Sequence, residues 1–184
     1  MKKSIVSLLV VFALSLTAGS AGAKSPDAAL FEQPALITAA GQSADGKLAD
    51  VLFKRAGVEH TLNPMAKPED LTTFKTLVLV IGGSSKGLGA AGINATDEEA
   101  RVTALTAEAR KKGIKIMAMH IGGDNRRGDL TDRYIAPCLS DAEYAVVVKA
   151  GDKDGRFAKD MENKFFDYAE KIADVAPLVK KAFR

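Results

Sequence analysis

The stretch that most constrains this chain is a continuous apolar run, Leu77-Val-Leu-Val-Ile81. Apolar residues in unbroken succession read as a strand buried on both faces, as in a parallel sheet covered by helices. The run opens directly into Gly82-Gly-Ser-Ser-Lys-Gly-Leu-Gly-Ala-Ala-Gly92. Glycines after a strand let the backbone take positive φ and come close to another group. Successive amides in such a loop can form a concave nest for an anion. The segment therefore marks where a ligand would sit.

Residues 1–23 read as an address. Lys2 and Lys3 form a positive start, Ile5 to Leu16 an apolar core, and Ala21-Gly-Ala23 a small-residue cleavage site. The apolar core is shorter than the roughly 20 residues needed to span a bilayer. Cleavage is expected between Ala23 and Lys24, releasing the protein outside the inner membrane, periplasmic or extracellular. Cys138 is the one cysteine, which forbids an internal disulfide and a cysteine metal cluster. Without Lys2 and Lys3 the 26 basic residues fall to 24, against 23 acidic ones. That balance is no footprint for nucleic acid or for an anionic membrane.

The remaining chain divides into a flexible arm, residues 24–32, and a single domain, residues 33–184. Strands are expected at Ala35–Ala40, Glu59–Leu62, Leu77–Ile81, Ile114–Ile121 and Glu143–Lys149. Helices are expected from Ser43 to about Arg55, from Thr96 to Lys111, from Leu130 to Leu139, and from about Arg156 to the C-terminus. Pro68 starts a further short helix, and Pro177 is expected to kink or split the last one. Five alternations predict an α/β three-layer sandwich with a five-stranded parallel sheet. Right-handed crossovers fit a flavodoxin-like order, 2-1-3-4-5, with a Rossmann-like variant as the alternative.

The connections differ by edge. Those entering strands are plain, whereas those leaving them carry glycine and groups able to bind. At this carboxyl edge, where open α/β folds take their ligands, lie Gly41, Gln42 and Ser43, then Gly83, Ser84, Ser85, Lys86 and Gly87. Asp124, Arg126 and Arg127 follow the fourth strand, and Lys153 follows the fifth. Lys86 and the two arginines suit a small carboxylate or phosphate. Asp124 and Asp129 could instead pair with the arginines. No metal is expected: Asp45, Asp152 and Asp154 match no Ca²⁺ loop.

Two motifs compete for the glycine segment. Gly83-Ser-Ser-Lys-Gly-Leu-Gly89 resembles the turn of short-chain dehydrogenases, but the following helix is placed only at Thr96 and no Tyr-x-x-x-Lys follows. No flavin or nicotinamide cofactor is therefore expected. Gly83-Ser-Ser85-Lys-Gly87 also fits the nucleophile elbow, which needs a turn straight into a helix. Its base would have to be His120, inside an apolar strand.

From Gln33 to the C-terminus the chain resembles an uncharacterised family of exported bacterial proteins, domain of unknown function family 6305. Leu36-Ile-Thr-Ala-Ala-Gly-Gln-Ser-Ala44, Gly82–Gly92, Met119-His-Ile-Gly-Gly123, Arg126-Arg-Gly128 and Lys153-Asp-Gly155 carry the likeness. The resemblance implies a single exported α/β domain and no particular activity. The chain thus reads as an extracytoplasmic binding module for a small anionic or polar molecule. The alternatives are a hydrolase-type enzyme using the same pocket, or an accessory protein of an envelope transport system.

Overall fold

A computed structural model describes residues 24–184; the expected signal peptide, residues 1–23, lies outside the described residues. Six strands form one parallel sheet: β1 (Ala35–Ala40), β2 (His60–Leu62), β3 (Thr76–Ile81), β4 (Lys115–His120), β5 (Tyr144–Val148) and β6 (Phe165–Ala169), in the order β2-β1-β3-β4-β5-β6. The predicted 2-1-3-4-5 order holds, extended by a sixth strand. Every residue of β1, β3 and β5 is buried, as expected for strands covered on both faces.

The side chains of successive residues go to opposite layers. Leu77, Leu79 and Ile81 pack under α3 (Ala95–Lys111), α4 (Asp129–Leu139) and α5 (Arg156–Asp160). Val78 and Val80 pack under α1 (Asp45–Ala56) and α6 (Val175–Ala182). Two apolar cores on one sheet give the three-layer sandwich. No helix among the described residues is long and apolar enough to cross a membrane.

Three expectations change. The C-terminal stretch expected to be helical from Arg156 is interrupted by β6, whose aromatic residues supply the strand signal. Pro177 lies in the first turn of α6, where its missing N–H costs no helical hydrogen bond, so it starts the helix instead of kinking it. The arm is docked, not loose. Lys24 pairs antiparallel with Phe166 through two backbone bonds of 2.8 and 3.0 Å, and the Ser25 hydroxyl donates to the buried Asp167 carboxylate. Farther along, Phe31 is fully buried and bridges to Phe183. At Phe166 the arm thereby pairs with part of the edge that β6 would otherwise expose.

The glycine segment gives the largest correction. It is not a long loop: α2 (Ser85–Ala91) begins immediately after β3. Ser84 caps it by accepting from the Gly87 amide at 3.0 Å, and Gly92 ends it with a left-handed φ of 69°. The next helix, α3, is capped by Asn94 instead of Thr96.

Candidate functional site

The carboxyl ends of β1 and β3 are zipped together. Ser43 N–H donates to the Gly82 carbonyl at 3.1 Å and Ser84 N–H to the Gly41 carbonyl at 2.8 Å, with Gln42 bridged to Gly83. Gly41, Gly82 and Gly87 are glycines because two turns interlock there. A Cβ on Gly41 would stand 2.6 Å from the Gly82 oxygen, and one on Gly82 2.5 Å from Ser43 Oγ. The predicted crevice at this switch point is filled by the chain's own backbone.

A buried ion pair supports the first turn. Glu98, fully buried on α3, accepts from Gly41 N–H at 2.9 Å, from Gln42 Nε2 at 3.0 Å and from both Nε and Nη2 of Arg101 at 2.8 Å. Arg101 also donates to the Ala66 carbonyl at 2.8 Å. Sequence reasoning missed this pair. Its signal was an acid and a base three residues apart on the face of α3 that turns inward.

The predicted cations divide sharply. Arg127 is committed: Nε and Nη2 reach Asp132 at 2.8 and 3.1 Å, Nη1 and Nη2 reach Asp154 at 3.0 and 2.8 Å, and Nη1 reaches the Gly151 carbonyl. These bonds raise the Arg127 pKa and hold the Asp132 and Asp154 carboxyls below their ordinary range. Asp154 is more than half exposed, so water and salt weaken its share. Lys153 pairs with Asp124 at 2.6 Å across an exposed surface. Ser85 and Lys86 stand exposed on the first turn of α2.

Arg126 differs. Its side chain is 37% exposed, and among the described residues the side chain's one polar contact is Nε to Asp45 Oδ1 at 3.5 Å. Asp45 is itself buried, and its Oδ2 has no hydrogen-bond partner. Arg126 and Arg127 line a cleft of about 210 Å³ with Gly83 and the first turn of α4, where Gly128 supplies no side-chain cap. The structure therefore brings Gly83, Arg126 and Arg127 together. Lys86 does not line this cleft, and Gln42 and Ser43 are spent within the β1 turn.

His120 is fully buried, stacked on Phe157 at 5.0 Å, with Nδ1 3.0 Å from the Ile81 carbonyl oxygen and Nε2 3.2 Å from that of Gly123. Since α2 starts at Ser85, one objection to a nucleophile elbow is removed. The other stands, because both His120 nitrogens face backbone carbonyls and neither is presented to the exposed Ser85.

Comparison with known proteins gives one match. The model of a family described as "Domain of unknown function (DUF6305)" covers residues 32–183, the family the sequence resembles. No curated protein and no solved structure matches the chain.

Proposed function

The chain belongs to the DUF6305 family, and we propose that this member is an extracytoplasmic binding module for a small anion held at the carboxyl edge by Arg126. The charged start, short apolar core and Ala21-Gly-Ala23 of its leader support export. One observation carries the site. Arg126 keeps most of its donors unused at the mouth of a cleft that also holds the uncapped first turn of α4. Guanidinium donors and first-turn amides are suited to a carboxylate or phosphate. The contact to Asp45 is longer than the 2.7–2.9 Å typical of charge-assisted bonds, so a better anion can compete for it. Asp45 is therefore the acid the ligand must outcompete, and Asp129 on the same cleft adds a like charge beside it.

Thermal shift with phosphate, acetate and succinate tests this. A ligand at a hundred times its dissociation constant stabilises by about 2.7 kcal/mol, a melting shift on the order of 5–10 °C for this size. Arg126→Ala should abolish the shift, whereas Lys86→Ala, outside the cleft, and Lys111→Ala at the opposite edge should leave it intact. An unchanged shift in Arg126→Ala sinks the reading. The turn from β3 straight into α2 at Ser85 favours a second reading, an exported hydrolase, which still needs a base other than His120.

A further inference from the structure

A larger cavity opens at the opposite, amino edge of the sheet, where Thr76 of β3 and Lys115 of β4 pair in register. Its volume is about 420 Å³, twice that of the Arg126 cleft and within the roughly 300–1,000 Å³ usual for small-molecule sites. We propose that this cavity binds an amphipathic carboxylate, its apolar body against Leu30, Leu71, Phe74 and Ile114 and its carboxylate among Lys75, Lys112 and Lys115.

The apolar part rests on the two cores. Leu71 belongs to the core under α3, and Phe74 and Ile114 pack against it from the cavity side. Leu30 of the arm packs instead against the core under α1 and α6. The cavity therefore lies where both cores reach the sheet's amino edge. Leu30, Phe74 and Ile114 are only partly buried, so an apolar ligand body there would cover apolar surface still open to water.

The charged part rests on unused donors. An ammonium carries three N–H donors. Lys112 Nζ donates to the Leu71 carbonyl at 2.9 Å and lies 3.3 Å from Glu108 Oε1. Lys115 Nζ donates to the Leu30 carbonyl at 2.8 Å. The side chain of Lys75 makes no hydrogen bond or ion pair among the described residues. Glu32, the carboxylate on the lining, is taken by Arg184. Its pKa is lowered first by that bond and further by Lys75 and Lys115, whose field reaches it. Three cations thus converge on a cavity whose one acid is engaged elsewhere, which selects an anion. Leu30, Phe74 and Ile114, part-exposed on the lining, favour one with a hydrocarbon body over a bare ion.

The same lysines make the site preformed. Lys112 and Lys115 hold the carbonyls of Leu71 and Leu30, fixing two walls before any ligand arrives. Little ordering remains to be done on binding.

Isothermal titration calorimetry of the purified protein with octanoate, acetate and octan-1-ol provides the test. Octanoate should saturate, and acetate and octanol should each bind at least about tenfold more weakly. Lys75→Gln with Lys115→Gln should weaken octanoate at least about tenfold, and Lys159→Gln, exposed on α5 away from the cavity, should leave it unchanged. If the double variant fails to fold, Lys75→Gln alone removes a side chain with no bond in the fold and should weaken octanoate about threefold. Octanol binding as tightly as octanoate, unaltered affinity in the lysine variants, or the absence of saturation overturns the proposal. Repeating the octanoate titration in the Arg126→Ala background, which removes the carboxyl-edge site, keeps the two readings separate.

Discussion

Gly87 lies directly against the backbone of Gln42: a Cβ on Gly87 would stand 1.9 Å from the Gln42 carbonyl oxygen. Gln42 is also the one non-glycine residue of positive φ among the described residues, at 58°. The turn after β1 is thus pressed into the first turn of α2, with no room for a side chain between them.

Gly87→Ala should therefore cost at least about 2 kcal/mol, because the clash is with backbone and neither turn can yield alone. Gly89, two residues on in the same helix, has open space where a methyl group would go, with nothing within 4 Å. Gly89→Ala should gain roughly 0.5–1 kcal/mol from helix propensity. Urea unfolding at constant slope measures both. Equal effects from the two substitutions would remove close packing as the reason for Gly87.

The Glu98–Arg101 pair should behave as one unit. Glu98→Gln leaves a buried guanidinium without its counter-charge, which should cost about 3–5 kcal/mol. Arg101→Met should cost a similar amount, and the double variant markedly less than the sum. Because Glu98 also holds Gly41 N–H and Gln42 Nε2, either single change should loosen the β1 turn, seen as faster amide exchange there. Strict additivity of the two costs would show that the pair is not coupled.

The strands legible in the sequence were those whose burial is continuous. Leu77 to Ile81 is apolar throughout because helices cover both faces. β6 escaped because Asp167 sits in its middle, buried between the Tyr144 hydroxyl and Ser25, a satisfaction that comes from distant parts of the chain. α2 escaped because its glycines lower helix propensity, each by about 1 kcal/mol. A serine cap and a left-handed glycine stop hold it nonetheless.

At the site, the edge and the glycines were legible, but the purpose of the glycines was not. Gly82 and Gly87 meet another turn of the chain, and only the folded backbone sets that distance. Nor could Arg126 and Arg127 be told apart as neighbours in sequence. One finds Asp132 five residues on and Asp154 twenty-seven residues on, whereas the other is left with a long contact to Asp45.

The fold should lose stability in two separate pH windows, and His120 sets the upper one. Burial lowers its pKa below 6.5, opposed by the Ile81 and Gly123 carbonyls and by Asp45, and aided by Arg127. The folded ring is therefore neutral, while the unfolded chain takes up a proton first as pH falls. Stability is fully present above about pH 6.5 and declines as pH drops toward the folded pKa, by at most about 1.4 kcal/mol per pH unit. Asp132 and Asp154, whose pKa values are lowered from 3.8, add their losses only near and below that value. Unfolding free energies from pH 8 to 3 should show both declines. His120→Gln should flatten the curve between pH 7 and 5 and keep the acid decline. A variant that retains the upper slope would show that His120 does not set that window.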